Sequence, residues 1–171
     1  MMPYKIIAYM VENNEDVFKL LKYSTPDALD KPNLEKCEKT ELIYNGEPNS
    51  TDFFIFQQPV TDDAFTEMVS QFRVYPDIII PENHIRGLVT FNFEILSHSK
   101  INTLNNYSTR LSWMLQSTIK TLNGVNIDGV GSLFFDKSAS SYNYAKYNIY
   151  NGKNYIGYNL MLSTWVGSVP K

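Results

Sequence analysis

The sequence predicts an α+β protein, with N-terminal helices followed by a mostly antiparallel sheet of about four to five strands covered by one helix. Three observations predict it. Apolar residues in the first third recur at helical spacing, and from Asp52 onward they alternate with period two. One later stretch, Ser108–Gly124, returns to the helical period before strands resume. The length of 171 residues suits one domain over 1–171. Within it, 1–45 forms a helical part, 52–165 a sheet-plus-helix core, and 138–154 an extended aromatic loop.

Ile6, Ile7, Met10 and Val11 mark the apolar stripe of a first helix, which Pro3 can open. Asn13 or Asn14 then serves as the N-cap of a second, with Glu15 and Asp16 at the positive end of its dipole. Val17, Leu20 and Leu21 are its buried side. A short helical turn is expected around Asp27–Leu29, with irregular structure on to Tyr44 and a loop over Tyr44–Thr51. "DFFIF" is a short apolar strand closed by Pro59. In "EMVSQFRVYP", Met68, Ser70, Phe72 and Val74 share a face. "GLVTFNFEIL" alternates cleanly, Val89, Phe91, Phe93 and Ile95 against Thr90, Asn92 and Glu94. The intervening "PDIIIPENHIRG" holds two prolines and reads as a long loop or a broken edge.

Ser108 can cap the late helix, whose buried stripe is Leu111, Met114, Leu115, Thr118, Ile119 and Leu122, with Trp113 off its centre. Asn123-Gly124 stops it. Val130–Phe135 and Asn154–Trp165 are the last strands, and in the second Ile156, Tyr158, Leu160 and Leu162 face one way.

Composition excludes several function classes. Net charge is −3, pI is near 5.4, and Lys and Arg never cluster, so the basic stripe of a phosphate-gripping protein is missing. No run of eighteen apolar residues occurs, and "MMPYKIIAYMVENNED" reads as folded structure, so no membrane span or export signal is expected. The two N-x-S/T matches at Asn49 and Asn106 are then expected to be chance. A lone cysteine, Cys37, rules out an internal disulfide, suits a reducing cytoplasm and reads as a half-buried small hydrophobe.

The motifs of catalysis are missing as well. His84 and His98 have no partner at metal-ligand spacing, and no G-x-S-x-G occurs. "GVNIDGVGS" fails as a phosphate loop, because its glycines follow a helix instead of preceding one. Asp62, Asp63 and Glu67 read as caps and turns, without a fourth ligand nearby. No enzyme, cofactor or metal is expected.

"SSYNYAKYNIYNGKNYIGY" (Ser140–Tyr158) holds six of the twelve tyrosines. Three readings are open: a buried plug, a stacking platform for sugars or bases, or a surface that orders against another subunit. Base stacking wants Arg or Lys beside the rings, and only Lys146 and Lys153 are present. Tyrosine suits an interface because it supplies large area at low rotamer cost. Tyr142, Tyr144, Tyr147 and Tyr150 are therefore the candidate interface residues.

The runs "TDDAFTEMVSQFRVYPDIIIPENHIRGLVTFNFEILSHSKI" and "RLSWMLQSTIKTLNGVNIDGVGSLFFDKSASSYNYAKYNIYNGKNYIGYNLMLSTW" resemble the neck and tail-completion proteins of tailed bacteriophages. The similarity covers roughly Asp52 to Trp165 and lies in order and texture: strand, strand ending Ser-His, helix ending Asn-Gly, Gly-Val-Gly strand, aromatic loop, final strand. It implies a tail-terminator-like virion protein, assembled in the host cytoplasm as a homo-oligomeric ring, typically a hexamer. Such a ring joins the head connector to the tail tube and lets DNA pass without sequence-specific binding. Another neck ring (adaptor or stopper) and a small carbohydrate- or peptide-binding module are the alternatives.

Overall fold

The computed structural model describes residues 2–46, 53–59, 68–83, 85–135, 145–150 and 154–167. Among these residues four α-helices, α1 (Met2–Asn13), α2 (Asp16–Lys22), α3 (Lys36–Glu41) and α4 (Arg110–Leu122), accompany seven strands. The strands are β1 (Ile55–Phe56), β2 (Ser70–Pro81), β3 (Arg86–His98), β4 (Asn126–Ile127), β5 (Gly131–Ser132), β6 (Lys146–Tyr150) and β7 (Tyr155–Gly167). Five form one mixed sheet in the order β1-β2-β3-β7-β6, and β4 pairs with β5 separately. Only β1 runs parallel to its neighbour. The fold is α+β, as the change of period predicts.

Register decides which face is buried. Phe93 lies opposite Val74 on β2 and Leu160 on β7, and Phe91 lies opposite Leu162. With Phe72 and Ile95 these residues form a fully buried apolar sheet face. Leu111 and Met114 of α4 pack into the same cluster, while Leu115 and Ile119 lie at its margin. The cover is broader than one helix, however. Ile6, Ile7 and Met10 of α1, with Val17, Phe18 and Leu20 of α2, belong to that core too. A 13-residue helix is only about 20 Å long, whereas the 13-residue strands β3 and β7 extend about 43 Å, so α4 alone cannot shield the sheet.

Four local expectations are corrected. Of the two readings of "PDIIIPENHIRG", the long loop is corrected and the broken edge holds: β2 continues through Pro81 and pairs with β3 down to Gly87. The prolines are tolerated because β1 pairs only with Phe72 and Arg73, leaving the rest of β2 without a partner on that side among the described residues. A register shift between Pro76 and Ile78 takes up the remaining misfit. The expected irregular run to Tyr44 contains α3, whose capping box joins the Glu35 side chain to the Glu38 backbone and the Glu38 side chain to the Glu35 backbone. Val130–Phe135 shrinks to the two residues of β5 plus a single bridge from Phe134 to Ser163. Thr109, not Ser108, caps α4 by accepting the Ser112 N–H, and the Ser108 hydroxyl instead accepts the Trp113 indole N–H at 2.7 Å.

Two polar side chains tie the helical layer together. Asn14 accepts the Val17 N–H at the start of α2 and donates to the Ser117 carbonyl and the Thr121 hydroxyl of α4. Arg110 is fully buried and donates to the carbonyls of Leu20, Tyr23, Thr25 and Ile101. The carbonyl groups at the end of α2 thus find their donor in a cation on α4, as the helix dipole favours.

Candidate functional site

Of the four interface tyrosines, Tyr142 and Tyr144 lie outside the described residues. Tyr147 and Tyr150 fall on β6, so part of what reads as an aromatic loop is an edge strand. Lys146, Tyr147, Asn148 and Ile149 do alternate with period two, but the surrounding Asn- and Tyr-rich sequence hides so short a pattern. Tyr147 lies opposite Tyr158 and Ile149 opposite Ile156. The Tyr147 ring meets Tyr158 edge-on at 5.3 Å, yet its side of the strand lies beyond the helices. Tyr147 is 47% exposed and Ile149 67% exposed. Among the described residues nothing pairs with the outer edge of β6, so an apolar rim and a row of backbone hydrogen-bonding groups face outward together.

A second exposed apolar feature is the β2–β3 hairpin end. Ile79, Ile80 and Ile85 are exposed there, and the Arg86 guanidinium lies 4.0 Å over the Trp165 ring. The doubled prolines and the isoleucine run were its sequence signal.

The sheet face away from the helices carries a polar network that period counting alone does not reveal. Arg73 donates to Glu94 at 2.9 Å and to Gln71 at 2.9 Å, while the Tyr75 hydroxyl donates to Glu94 at 2.7 Å and accepts from Asn92. Burial, and then Glu94, push the Tyr75 phenol well above its usual value. Every titratable member is thus held by another, the arrangement of a structural network.

His98 is buried at the end of β3, its Nδ1 accepting the Lys100 N–H and its ring edge-on to Tyr155. Burial, and then the nearby Lys100, lower its pKa. His84, Asp62, Asp63 and Glu67 lie outside the described residues. Among the described residues no group of three or more His, Cys, Asp or Glu could hold a metal ion. Cys37 is exposed, not half-buried, because α3 is a short surface helix whose buried residue is Lys39. No helix among the described residues is long and apolar enough to cross a membrane.

The helical layer holds a groove of about 560 Å³ between the α1–α2 junction and α4. Tyr9, Asn13 and Asp16 line one side, with Trp113, Gln116 and Lys120 on the other. Sequence reading passed over it because its residues are scattered along two helical segments a hundred positions apart.

Fold and surface together define an α+β protein that exposes a tyrosine-bearing sheet edge. The chain belongs to the YomW family, whose profile matches residues 14–164, and this family is phage-associated. No curated protein and no solved structure shows significant similarity to it.

Proposed function

We propose that the chain is a structural, non-catalytic subunit of a phage particle: a tail-completion protein that works as a ring, of six copies, between head connector and tail tube. The observation that supports this reading is the β6 rim. Native proteins blunt a free strand edge with charge or cover it, whereas Tyr147 and Ile149 offer apolar area beside backbone groups that no described strand pairs with. A patch of this kind that meets a different patch on the next copy makes a head-to-tail contact, and such contacts form a ring when the rotation between copies closes. The net charge of −3 would keep DNA from adhering as it passes. Membership of a phage-associated family agrees with a virion role, as does the resemblance in element order.

The test is a double variant, Tyr147→Ser with Ile149→Ser. Both side chains are mostly in water, so the subunit should melt within a few degrees of the parent while assembly into particles is lost. Normal assembly of the variant contradicts the role of this edge, and an unfolded subunit would make the strand part of the core.

A further inference from the structure

We propose that the groove between α1–α2 and α4 binds an uncharged saccharide, one pyranose ring held between Trp113 and Tyr9 with its hydroxyls on Asn13, Asp16 and Gln116. Three features select this class. The volume of about 560 Å³ lies inside the range of small-molecule sites, and the groove offers two aromatic rings among several polar groups.

Trp113 is also fixed in advance. Its indole N–H is spent on Ser108, at 2.7 Å, and part of the ring packs against the core, so it is locked and offers its remaining apolar surface to the groove without losing rotamer freedom on binding. The C–H face of a pyranose is what such a ring packs against. Below it, Asn14 is saturated by Val17, Ser117 and Thr121, so the floor is rigid as well.

The polar groups left over match hydroxyls rather than a charge. The side chains of Asp16, Gln116 and Lys120 make no hydrogen bond or ion pair with any other described residue, and that of Asn13 uses only its Nδ2, on the Tyr9 carbonyl. Glu15 is neutralised by Lys39 at 2.7 Å. That leaves one carboxylate and one ammonium, a balanced pair, in a groove with no surplus cation for a phosphate or nucleotide. Carboxylates and amides accept and donate to vicinal hydroxyls, which is the chemistry on offer.

This inference is independent of the ring reading, since binding is measured on the isolated subunit. In a Trp165→Phe background Trp113 is the sole tryptophan, and its fluorescence can be titrated with glucose, galactose, N-acetylglucosamine, cellobiose and chitobiose. A saturable change with Kd on the order of 1 mM is expected for at least one of them, weakened roughly tenfold by Gln116→Ala and by Asp16→Asn. Both variants should fold like the parent, because neither side chain has a hydrogen-bond or ion-pair partner among the described residues and Asp16→Asn gives up only its interaction with the α2 dipole. Silence with all five sugars overturns the proposal. So does a response that both variants leave unchanged, or a groove that takes a dipeptide or a mononucleotide while the sugars have no effect.

Discussion

At the residue scale, two buried cations or would-be cations lead to opposite designs. Arg110 keeps its charge although burial works against it, because four carbonyl groups surround the guanidinium. Arg110→Met would strand those acceptors, each at a cost of about 1–3 kcal/mol, so a loss of several kcal/mol is expected by urea denaturation. A loss below about 1 kcal/mol would show that water replaces the guanidinium at no penalty. His98 is instead held neutral. Its folded pKa lies below the usual 6.5, so as pH falls through that value the unfolded chain binds a proton before the folded one does. Stability should therefore fall as pH drops below the ordinary histidine value of about 6.5, before the carboxylates titrate. Glu12, Asp27 and Glu38, whose lysine partners lower their pKa values, add their own losses only at more acid pH. Thermal melts of His98→Asn should be flatter across the first window, since Asn keeps an acceptor for the Lys100 N–H but does not titrate. An unchanged slope would place the acid sensitivity elsewhere.

At the element scale the buried sheet face sets the energetics. Phe93 and Leu111 are almost completely buried, whereas Leu115 sits at the margin of the core. Phe93→Ala should cost about 3–5 kcal/mol and Leu111→Ala about 2–5 kcal/mol, with Leu115→Ala clearly less. Equal losses at 111 and 115 would mean that α4 is rotated about its axis. These elements were legible because their periods are uninterrupted: β3 alternates from Val89 to Ile95, β7 keeps Ile156, Tyr158, Leu160 and Leu162 on one face, and α1 and α4 keep a helical stripe for three turns. Short elements were not. The capping box of α3 uses Glu35 in place of the usual Ser, Thr, Asp or Asn, and β2 runs through two prolines that only an open strand side permits. The edge role of β6 depends on which strand it meets, and that pairing, with β7, is information the residue pattern does not carry. The groove at Trp113 was hidden for the same reason, since Asp16 and Gln116 become neighbours only once α2 and α4 pack.

At the scale of the whole molecule, one core joins the N-terminal helices to the sheet, and two exposed apolar features lie away from it, at β6 and at the β2–β3 hairpin end. That division favours a subunit which is stable alone and meets its neighbours through sheet margins. Purified chain is expected to be monomeric or weakly associated by light scattering, because a terminator that formed rings freely would cap tubes before they were complete. The central claim is the place of this protein in the particle. The most direct measurement is electron microscopy of virions carrying a tag on the chain, with the subunit's own density resolved. The account predicts a ring of six copies at the neck, between connector and tail tube, with β6 buried at the subunit or tube contact. Density at the tail tip or in the capsid lattice, or a particle without the chain, would contradict it.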